Sequence, residues 1–330
     1  MNSKHKSSRL RQIPAYWADF TPKSFLSHCL NTYYSSLHSF SLLFLFLFSV
    51  LSLAPTTAQF AVASEIDLGK ALEKNITIGN PIWLNDGETK FFSVFNADQS
   101  GQPKGGAIIL HDADSHPARP EVIQPLHGNL PKHGWATISI QLPPLKQLSE
   151  YNNNQALIRR RIESAVNHLR TSGYNNIVLI GHGTGAMAAT NYLAAGSTEF
   201  IRALVAISLG VLNTKEKKDS IPAKLENVKL PILDVYGSND LSYITSSAKR
   251  RALASKLSGD AATRANTIEP YRRSVMAVGS GQKAQGYIAY RQIKVEGADH
   301  DFSGTENILT KRIIGWLERH AKGVAVSSPR

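Results

Sequence analysis

Residues 177–186 (IVLIGHGTGA) are the stretch that most constrains the fold of this chain. They open with four consecutive aliphatic residues, which is typical of a strand buried on both faces. Glycines at positions 181, 183 and 185 then predict a sharp turn. After the turn, residues 187–193 continue with the spacing and the composition of a helix. A strand, a tight glycine turn and a helix in this order predict part of a parallel α/β sheet.

Short buried strands and helices alternate along the rest of the chain. The pattern predicts strands at 81–84, 90–95, 107–110, 135–140, 201–208, 230–236 and 287–295, and helices at 121–130, 155–169, 242–257 and 308–320. The polar, glycine-rich residues 259–286 fit no element. We therefore expect one α/β domain at 81–322, with a mostly parallel, doubly wound sheet and helices on both faces.

The amino-terminal region has the order of residues found in secretory signals. A basic segment precedes an apolar run at 41–53 (SLLFLFLFSVLSL), and small residues follow around Ala58 and Ala63. The run is shorter than the roughly 20 residues of a membrane span. We expect residues 1–63 to be a leader removed on export to the periplasm, followed by a polar linker at 64–80, and residues 323–330 to be a disordered tail. The alternative is an uncleaved leader that anchors the protein in the inner membrane.

Cysteine and charge exclude several classes of function. The single cysteine, Cys29, lies within the leader, so a mature chain would carry no disulfide, thiol nucleophile or thiolate metal site. The formal net charge is +12, with no run of consecutive basic residues longer than 159–161. A basic surface of this kind suits anionic partners such as lipid headgroups or polyanions, but we interpret it as a solvated face with no special partner. No basic motif interleaved with aromatic residues indicates a nucleic-acid partner. The oligomeric state is not indicated.

Two later strand ends carry residues that could form a catalytic pair. Asp240 follows the strand at 230–236, and His300 follows the strand at 287–295. Catalytic and ligand-binding residues of parallel sheets lie at the carboxyl ends of the strands. A serine nucleophile needs a histidine that is paired with an acid. Each residue also has a simpler interpretation: Asp240 could cap the helix that begins near Ser242, and His300 could be an ordinary loop histidine.

The order of glycine turn, acid and histidine resembles that of α/β-hydrolase-fold proteins, over roughly residues 81–320. More narrowly, the segments HGWATISIQLP, NIVLIGHGTGA and GADHDF resemble a family of uncharacterised exported bacterial proteins that is classed as a domain of unknown function. The resemblance implies the α/β-hydrolase fold. It also implies that Asp240 and His300 are the remnant of a Ser-His-Asp triad. It implies no particular activity.

The chain departs from the hydrolase pattern at the nucleophile. The central position of the elbow motif G-x-S-x-G is Gly183, which has no side chain to deprotonate. Thr184 lies one residue after the nucleophile position. Its backbone N–H, with that of Ala113, is a candidate for the oxyanion hole, and its hydroxyl should point away from the histidine. Where the family often has glycine, Asp112 follows His111, and an inward carboxylate would oppose a developing negative charge. We expect His111, Asp112 and His182 at the rim of a pocket.

These features predict a non-catalytic or non-standard member of the fold that binds a small molecule or an envelope component. The alternative is an active ester or amide hydrolase that uses Thr184, Ser208 or Ser238. A weaker alternative is nucleotide or anion binding, because Gly181-x-Gly183-x-x-Ala186 fits a dinucleotide fingerprint; the acid required after the next strand is missing. The histidines at 111, 116, 127 and 133 match no metal-site spacing, so we expect neither metal nor cofactor.

Overall fold

The computed structural model describes residues 56–144, 153–196, 199–211, 219–257 and 290–321. The chain divides into two compact units, Met1–Ala61 and Val62–Arg330, and of the first only the helical residues 56–61 are described. The apolar run at 41–53, Cys29, the segment at 259–286 and the tail at 323–330 lie outside the described residues. Among the residues that are described, no helix is both long and apolar enough to cross a membrane.

Eight strands form one mostly parallel sheet. They are β1 (Asn80–Asn85), β2 (Lys90–Asn96), β3 (Gly105–Leu110), β4 (Trp135–Ile140), β5 (Ile177–His182), β6 (Ile201–Ile207), β7 (Ile232–Gly237) and β8 (Tyr290–Val295). Their order across the sheet is β1-β2-β4-β3-β5-β6-β7-β8. The pairs β1–β2 and β2–β4 are antiparallel, and every other neighbouring pair is parallel.

Helices cover both faces of the sheet. They are α1 (Thr56–Glu73), α2 (Ile123–Asn129), α3 (Gln155–Thr171), α4 (Thr184–Ala194), α5 (Ile221–Asn227), α6 (Ser242–Leu257) and α7 (Glu306–His320), with a 3₁₀ turn at Leu130–His133. One apolar cluster joins the sheet to α3, α4, α5 and α6, and a second joins the other face to α2 and α7. Along β5, Ile177 and Leu179 belong to the first cluster and Val178 and Ile180 to the second, as the alternation of a strand requires. The predicted doubly wound sheet is confirmed.

The predicted linker at 64–80 is corrected by the structure. Helix α1 continues to Glu73 and lies close against the first hairpin. At Gly69 a side chain would not fit, because an added Cβ atom would lie 2.6 Å from the Trp83 ring and 2.8 Å from the Cβ of Phe92. The composition of this stretch is polar. Its helix is held to the domain by the contact at Gly69 and by the ion pair of Glu65 with the buried Arg161.

One arginine of the basic run at 159–161 does not belong to the solvated surface of the protein. Arg161 is buried, with 1% of its side chain exposed, and it pairs with Glu65 of α1 and with Asp86 of the first hairpin turn. Its guanidinium also donates to the backbone oxygen of Gln141 at 3.0 Å. An arginine in the fully buried interior needs such partners. The periodicity of α3 does place position 161 on the inward face, beside Ile162.

The parallel strands end at one edge of the sheet, and this edge assembles the candidate site. The residues that follow strand ends there are Asp112 after β3, Gly183 after β5, Ser208 after β6, Asp240 after β7 and His300 after β8. The strand order places β5 between β3 and β6, so the glycine turn lies between Asp112 and Ser208.

Candidate functional site

Gly183 forms the turn between β5 and α4. Its backbone has φ 55° and ψ −116°, a conformation that costs a residue with a side chain of the order of 1–3 kcal/mol. Its N–H donates to the oxygen of Ile207 at 2.9 Å, which fixes the turn against β6. Gly185 is needed for close approach, because an added Cβ atom would lie 2.3 Å from the oxygen of Leu110. The local geometry is therefore that of a nucleophile elbow with no side chain at its centre.

The carboxylate of Asp112 occupies the space in front of Gly183. A Cβ atom added at Gly183 would lie 2.2 Å from both the Cγ and the Oδ1 of Asp112. Oδ1 accepts hydrogen bonds from the N–H of Ala113 at 2.7 Å and from the N–H of Thr184 at 2.6 Å. These are the two N–H groups expected to form the oxyanion hole. Because Thr184 begins α4, the carboxylate also lies at the positive end of a helix, so the chain supplies its own anion there.

His300 lies between two carboxylates. Its Nε2 is 2.8 Å from Oδ2 of Asp112, and its Nδ1 is 2.7 Å from Oδ1 of Asp240. Burial acts to lower the pKa of His300, but the hydrogen bonds and charges of both carboxylates outweigh it and raise this pKa to about 10. Burial likewise acts to raise the pKa of Asp112, yet the hydrogen bond from His300 holds that pKa well below its usual range. At neutral pH the cluster is an imidazolium between two anions.

Asp240 is held by its neighbours in the orientation that meets His300. Ser208 donates its hydroxyl to Oδ2 of Asp240 at 2.6 Å, and the N–H of Leu241 donates to Oδ1 at 2.8 Å. Burial opposes the shift, but the hydrogen bonds from His300 and Ser208 lower the pKa of Asp240. Ser208 is fully buried with φ 52° and lies on the acid side of the cluster. Ser238 instead accepts a hydrogen bond from the N–H of Gly297 at 2.8 Å.

The other two predicted rim residues have different surroundings. His111 is buried and lines a cavity. Its Nε2 accepts a hydrogen bond from the N–H of Leu142 at 2.9 Å, and its Nδ1 lies 2.7 Å from the backbone oxygen of Asp112. Burial lowers the pKa of His111 to about 4, so it is neutral at physiological pH. His182 lies beneath the cluster, where its Nε2 donates to the oxygen of His300 at 2.9 Å and its ring centre is 4.9 Å from that of His300.

A cavity of about 360 Å³ opens beside Asp112. Its walls are mainly apolar and include Leu68 of α1, Ile158 of α3, Ala188 of α4 and the segment Leu142, Pro143 and Pro144 that follows β4. Its polar lining includes Asp112 and His111 and, besides them, Glu65, Asp114, His116 and Gln141. The volume lies at the small end of the range typical of ligand pockets, roughly 300–1,000 Å³. An apolar chamber with a charged cluster at one end suits a small molecule with one reactive or polar end.

Asp112, His182 and His300 bring three donor atoms within 4.8 Å of one another, a spacing that could hold a metal ion. Tetrahedral zinc with bonds of 2.0–2.1 Å would hold its ligand atoms about 3.3 Å apart. The 2.8 Å between His300 and Asp112 is instead a hydrogen-bond distance, and it favours a shared proton over an ion. Of the sequence-adjacent histidines, His111 and His116 both line the cavity, whereas His127 is buried between Thr137 and Ser139, and burial lowers its pKa to about 3.

Sequence reasoning did not foresee that Asp112 fills the nucleophile's place, or that Ser208 supports Asp240. A signal for the first was present. Position 183 lacks the side chain of the nucleophile, and position 112 has an aspartate where the family that the chain resembles often has glycine. The carboxylate of Asp112 therefore fills the volume that a side chain at position 183 would occupy. No comparable signal pointed to Ser208, because its contact depends on how β6 and β7 lie in the sheet.

Comparison with known proteins identifies the fold. The sequence profile of a family described as "Protein of unknown function (DUF3530)" matches residues 54–154 and 145–264. Est1E from Butyrivibrio proteoclasticus is similar in structure, with 13% identity, a TM-score of 0.50, and coverage of 73% of this chain and 98% of that one. A dienelactone hydrolase from Anabaena variabilis has 18% identity and a TM-score of 0.48, covering 73% and 97%. No curated protein sequence matches significantly. The α/β-hydrolase fold is confirmed.

Proposed function

The chain belongs to the family described as protein of unknown function (DUF3530), and we propose that it is an exported small-molecule-binding protein whose site has lost serine-hydrolase chemistry. The observation that carries the proposal is the position of the Asp112 carboxylate. It stands where the side chain of the nucleophile would be, and it takes both N–H donors that would stabilise a tetrahedral intermediate. A carbonyl substrate would find neither nucleophile nor oxyanion hole.

The remaining hydroxyl groups support this proposal. A serine nucleophile needs a histidine nitrogen that can remove its proton. The Nε2 of His300 is directed at Asp112, and the hydroxyl of Ser208 donates to Asp240 on the opposite side of the ring. Thr184 meets the site through its backbone N–H. The alternative of an ester or amide hydrolase based on Thr184, Ser208 or Ser238 therefore has less support.

The cavity defines the class of ligand. Its apolar walls favour a neutral, mostly hydrocarbon molecule, and its polar end lies against the buried charged cluster. An anionic ligand is disfavoured, because Asp112 already fills the anion position at the start of α4. The same contact weighs against nucleotide binding through the glycine turn. We propose no cofactor and no nucleic-acid partner.

Binding in the cavity is tested with N-phenyl-1-naphthylamine, a neutral fluorophore that brightens in apolar surroundings. We expect saturable binding that Leu68→Asp weakens about tenfold, because the substitution removes an apolar contact and adds a charge at the cavity wall. Leu68 is 46% exposed, so the folded chain should tolerate the change. Fluorescence titration of the wild type and the variant gives both dissociation constants.

The matched control is Leu253→Asp, which makes the same change at an exposed leucine of α6 that is not part of the cavity wall. It should leave the dissociation constant unchanged. A titration that does not saturate, or equal weakening by both variants, would mean that the fluorophore adheres to exposed apolar surface, and the proposed binding function would be abandoned.

Export is the second part of the proposal, and it depends on the sequence of the leader. The apolar run at 41–53 and the small residues after it predict cleavage after Ala58 or Ala63. We expect the protein isolated from its native host to begin at Gln59 or Ser64, as determined by amino-terminal sequencing. A chain that retains residues 41–53 and sediments with membranes would support the anchored alternative instead.

A further inference from the structure

We propose that a second cavity, which lies between β8 and α7, binds a phosphate monoester group. The cavity has a volume of about 380 Å³ and shares no lining residue with the cavity beside Asp112. No carboxylate among the described residues lines it, whereas four cationic side chains do: Arg291 of β8 and Lys311, Arg312 and Arg319 of α7. The two cavities are separate, so this site does not depend on the binding function proposed above.

The strand and the helix direct these cations at one space. Along β8, Ile293 and Val295 pack against the apolar cluster that includes α7, and the alternation of the strand places Arg291 on the same face. On α7, Arg312 and Arg319 are seven residues apart, so they lie about two turns apart on one side of the helix. The edge of the sheet and the helix therefore hold positive charges around a shared cavity.

These charges lack counter-ions. Within the described part of the chain, none of the four cations forms an ion pair, although nearby charged residues do. Lys294, on the opposite face of β8, lies 2.6 Å from a carboxylate oxygen of Glu296, and Glu318 of α7 pairs with Lys104. A concave surface lined by charges of one sign raises the local concentration of ions of the other sign. The cavity is therefore suited to an anion.

Ordinary structural roles account for only part of this cluster. A cation in the last turn of a helix interacts favourably with the helix dipole, which accounts for Arg319. A charged side chain on an edge strand discourages pairing with another chain, which accounts for Arg291. Neither role applies to Lys311 and Arg312, which lie near the middle of α7. An anionic ligand explains why all four cations line the same cavity.

Gly315 leaves space for such a ligand at the surface of α7. Glycine inside a helix is less favourable than alanine, so its presence there usually has a packing reason. Packing does not require it here, because an added Cβ atom would have the Nη1 of Arg319 as its nearest neighbour outside the local backbone, at 4.0 Å. Gly315 lines the cavity together with the cations. The space above it is thus open to an incoming group.

Charge and geometry indicate a phosphate monoester. Such a group carries a charge of about −1.5 to −2 at neutral pH and has three acceptor oxygens. Arginine binds phosphate oxygens through two parallel hydrogen bonds, and three of the four cations are arginines. A carboxylate or a phosphodiester carries one negative charge and would leave most of the positive charge unbalanced. His320 adds no charge at neutral pH, because burial and the charge of Arg319 lower its pKa.

A soluble molecule and a lipid headgroup can present the same group, and two binding measurements distinguish these sources. Isothermal titration calorimetry with glycerol 1-phosphate tests the soluble source. Sedimentation with phosphatidylcholine vesicles that contain phosphatidic acid tests the lipid source, and vesicles in which phosphatidylglycerol gives the same surface charge are the control. We expect saturable binding of glycerol 1-phosphate, or sedimentation with phosphatidic acid that clearly exceeds that with phosphatidylglycerol. No binding in either measurement, or sedimentation that depends on surface charge alone, would overturn the proposal.

Charge variants locate the binding. The double variant Arg291→Gln, Arg312→Gln removes one cation from each element and should weaken binding at least about tenfold. The matched control is Lys249→Gln, Arg250→Gln, which removes the same charge from exposed positions of α6 that do not line the cavity. The control should bind like the wild type. Equal weakening in the two double variants would mean that only the net charge of the protein matters, and the proposed site would be wrong.

The variant Gly315→Met tests the cavity itself, because it fills the open space and changes no charge. We expect its dissociation constant to rise at least about tenfold. Asn307→Met places the same side chain at an exposed position of α7 that does not line the cavity, and it should bind like the wild type. Circular dichroism checks that each variant is folded. If folded Gly315→Met binds as tightly as the wild type, the phosphate group does not enter the cavity and the proposal fails.

Discussion

The substitution Gly183→Ser alone is expected to lower the free energy of unfolding by roughly 4–8 kcal/mol and to give no reactive serine. Two costs add. A side chain in the backbone conformation of Gly183 costs about 1–3 kcal/mol. The new side chain must also displace the Asp112 carboxylate, because a Cβ atom would lie 2.2 Å from its Cγ, and disrupting a buried ion pair costs about 3–5 kcal/mol. Urea unfolding measures the loss.

Removing the obstacle should reverse the outcome. In Gly183→Ser, Asp112→Gly the hydroxyl enters the space that Asp112 occupied, and the N–H groups of Ala113 and Thr184 become available. We expect the double variant to be more stable than the sum of the single losses by about 1–3 kcal/mol. We also expect it to react with a fluorophosphonate, which neither the wild type nor either single variant should do. Adding His300→Ala should abolish the labelling, because triad members act as a unit.

The matched control is Gly183→Ala, Asp112→Gly, which has the same backbone strain and the same space but no hydroxyl. It should fold like the serine variant and remain unlabelled. If Gly183→Ser is as stable as the wild type, the Asp112 carboxylate does not lie against Gly183. If the double variant folds and stays unlabelled, His300 and Asp240 do not stand in triad positions.

The local elements of this fold could be predicted from sequence because each has a local cause. Alternation of buried strands with amphipathic helices determined the sheet, and the glycines around position 183 determined the turn. The helix at 64–73 was missed because its composition is polar. The helix is held by the pairing of Glu65 with Arg161 and by the contact of Gly69 with Trp83 and Phe92. In each contact the partners are distant from the helix in sequence. A similar long-range network, Asp234 with Arg251 and Tyr290, joins β7, α6 and β8.

The candidate site also has one part that could be predicted from the sequence and one part that could not. Asp240 and His300 could be proposed because each follows a strand end, and the structure brings their atoms to 2.7 Å. The direction of the Asp112 side chain could not be read from sequence. Whether a carboxylate after β3 points at the elbow depends on the backbone of that turn and on the volume left at Gly183. The backbone conformation of Gly183 alone would cost a serine about 1–3 kcal/mol. The contact with Asp112 accounts for the larger loss that we expect.

The stability that His300 contributes is expected to be greatest between about pH 4 and pH 6.5 and to fall by roughly 2–4 kcal/mol as the pH rises to 10. The pKa of His300 is raised from 6.5 to about 10 in the folded protein. Such a group stabilises fully below its unfolded pKa and loses its effect as the pH passes the folded value. The pKa values of Asp112 and Asp240 are lowered, so their contribution is present above about pH 4 and is lost in acid.

The measurement is the difference in unfolding free energy between the wild type and His300→Gln, taken from urea titrations across this pH range. The difference isolates His300, because the buried histidines His111 and His127 titrate in both proteins and cancel. The control is His133→Gln, which makes the same change at an exposed histidine at the end of the 3₁₀ turn, outside the cluster. Nitrogen-15 NMR of the imidazole gives the pKa of His300 directly.

A flat difference curve for His300→Gln, or a neutral imidazole at pH 8, would show that the ring is not held between two carboxylates. A curve that falls above about pH 6.5 would instead mean that the positive charge stabilises the fold by pairing with Asp112 and Asp240. The pH at which His300 loses its proton therefore sets the upper limit of the stability that this residue contributes.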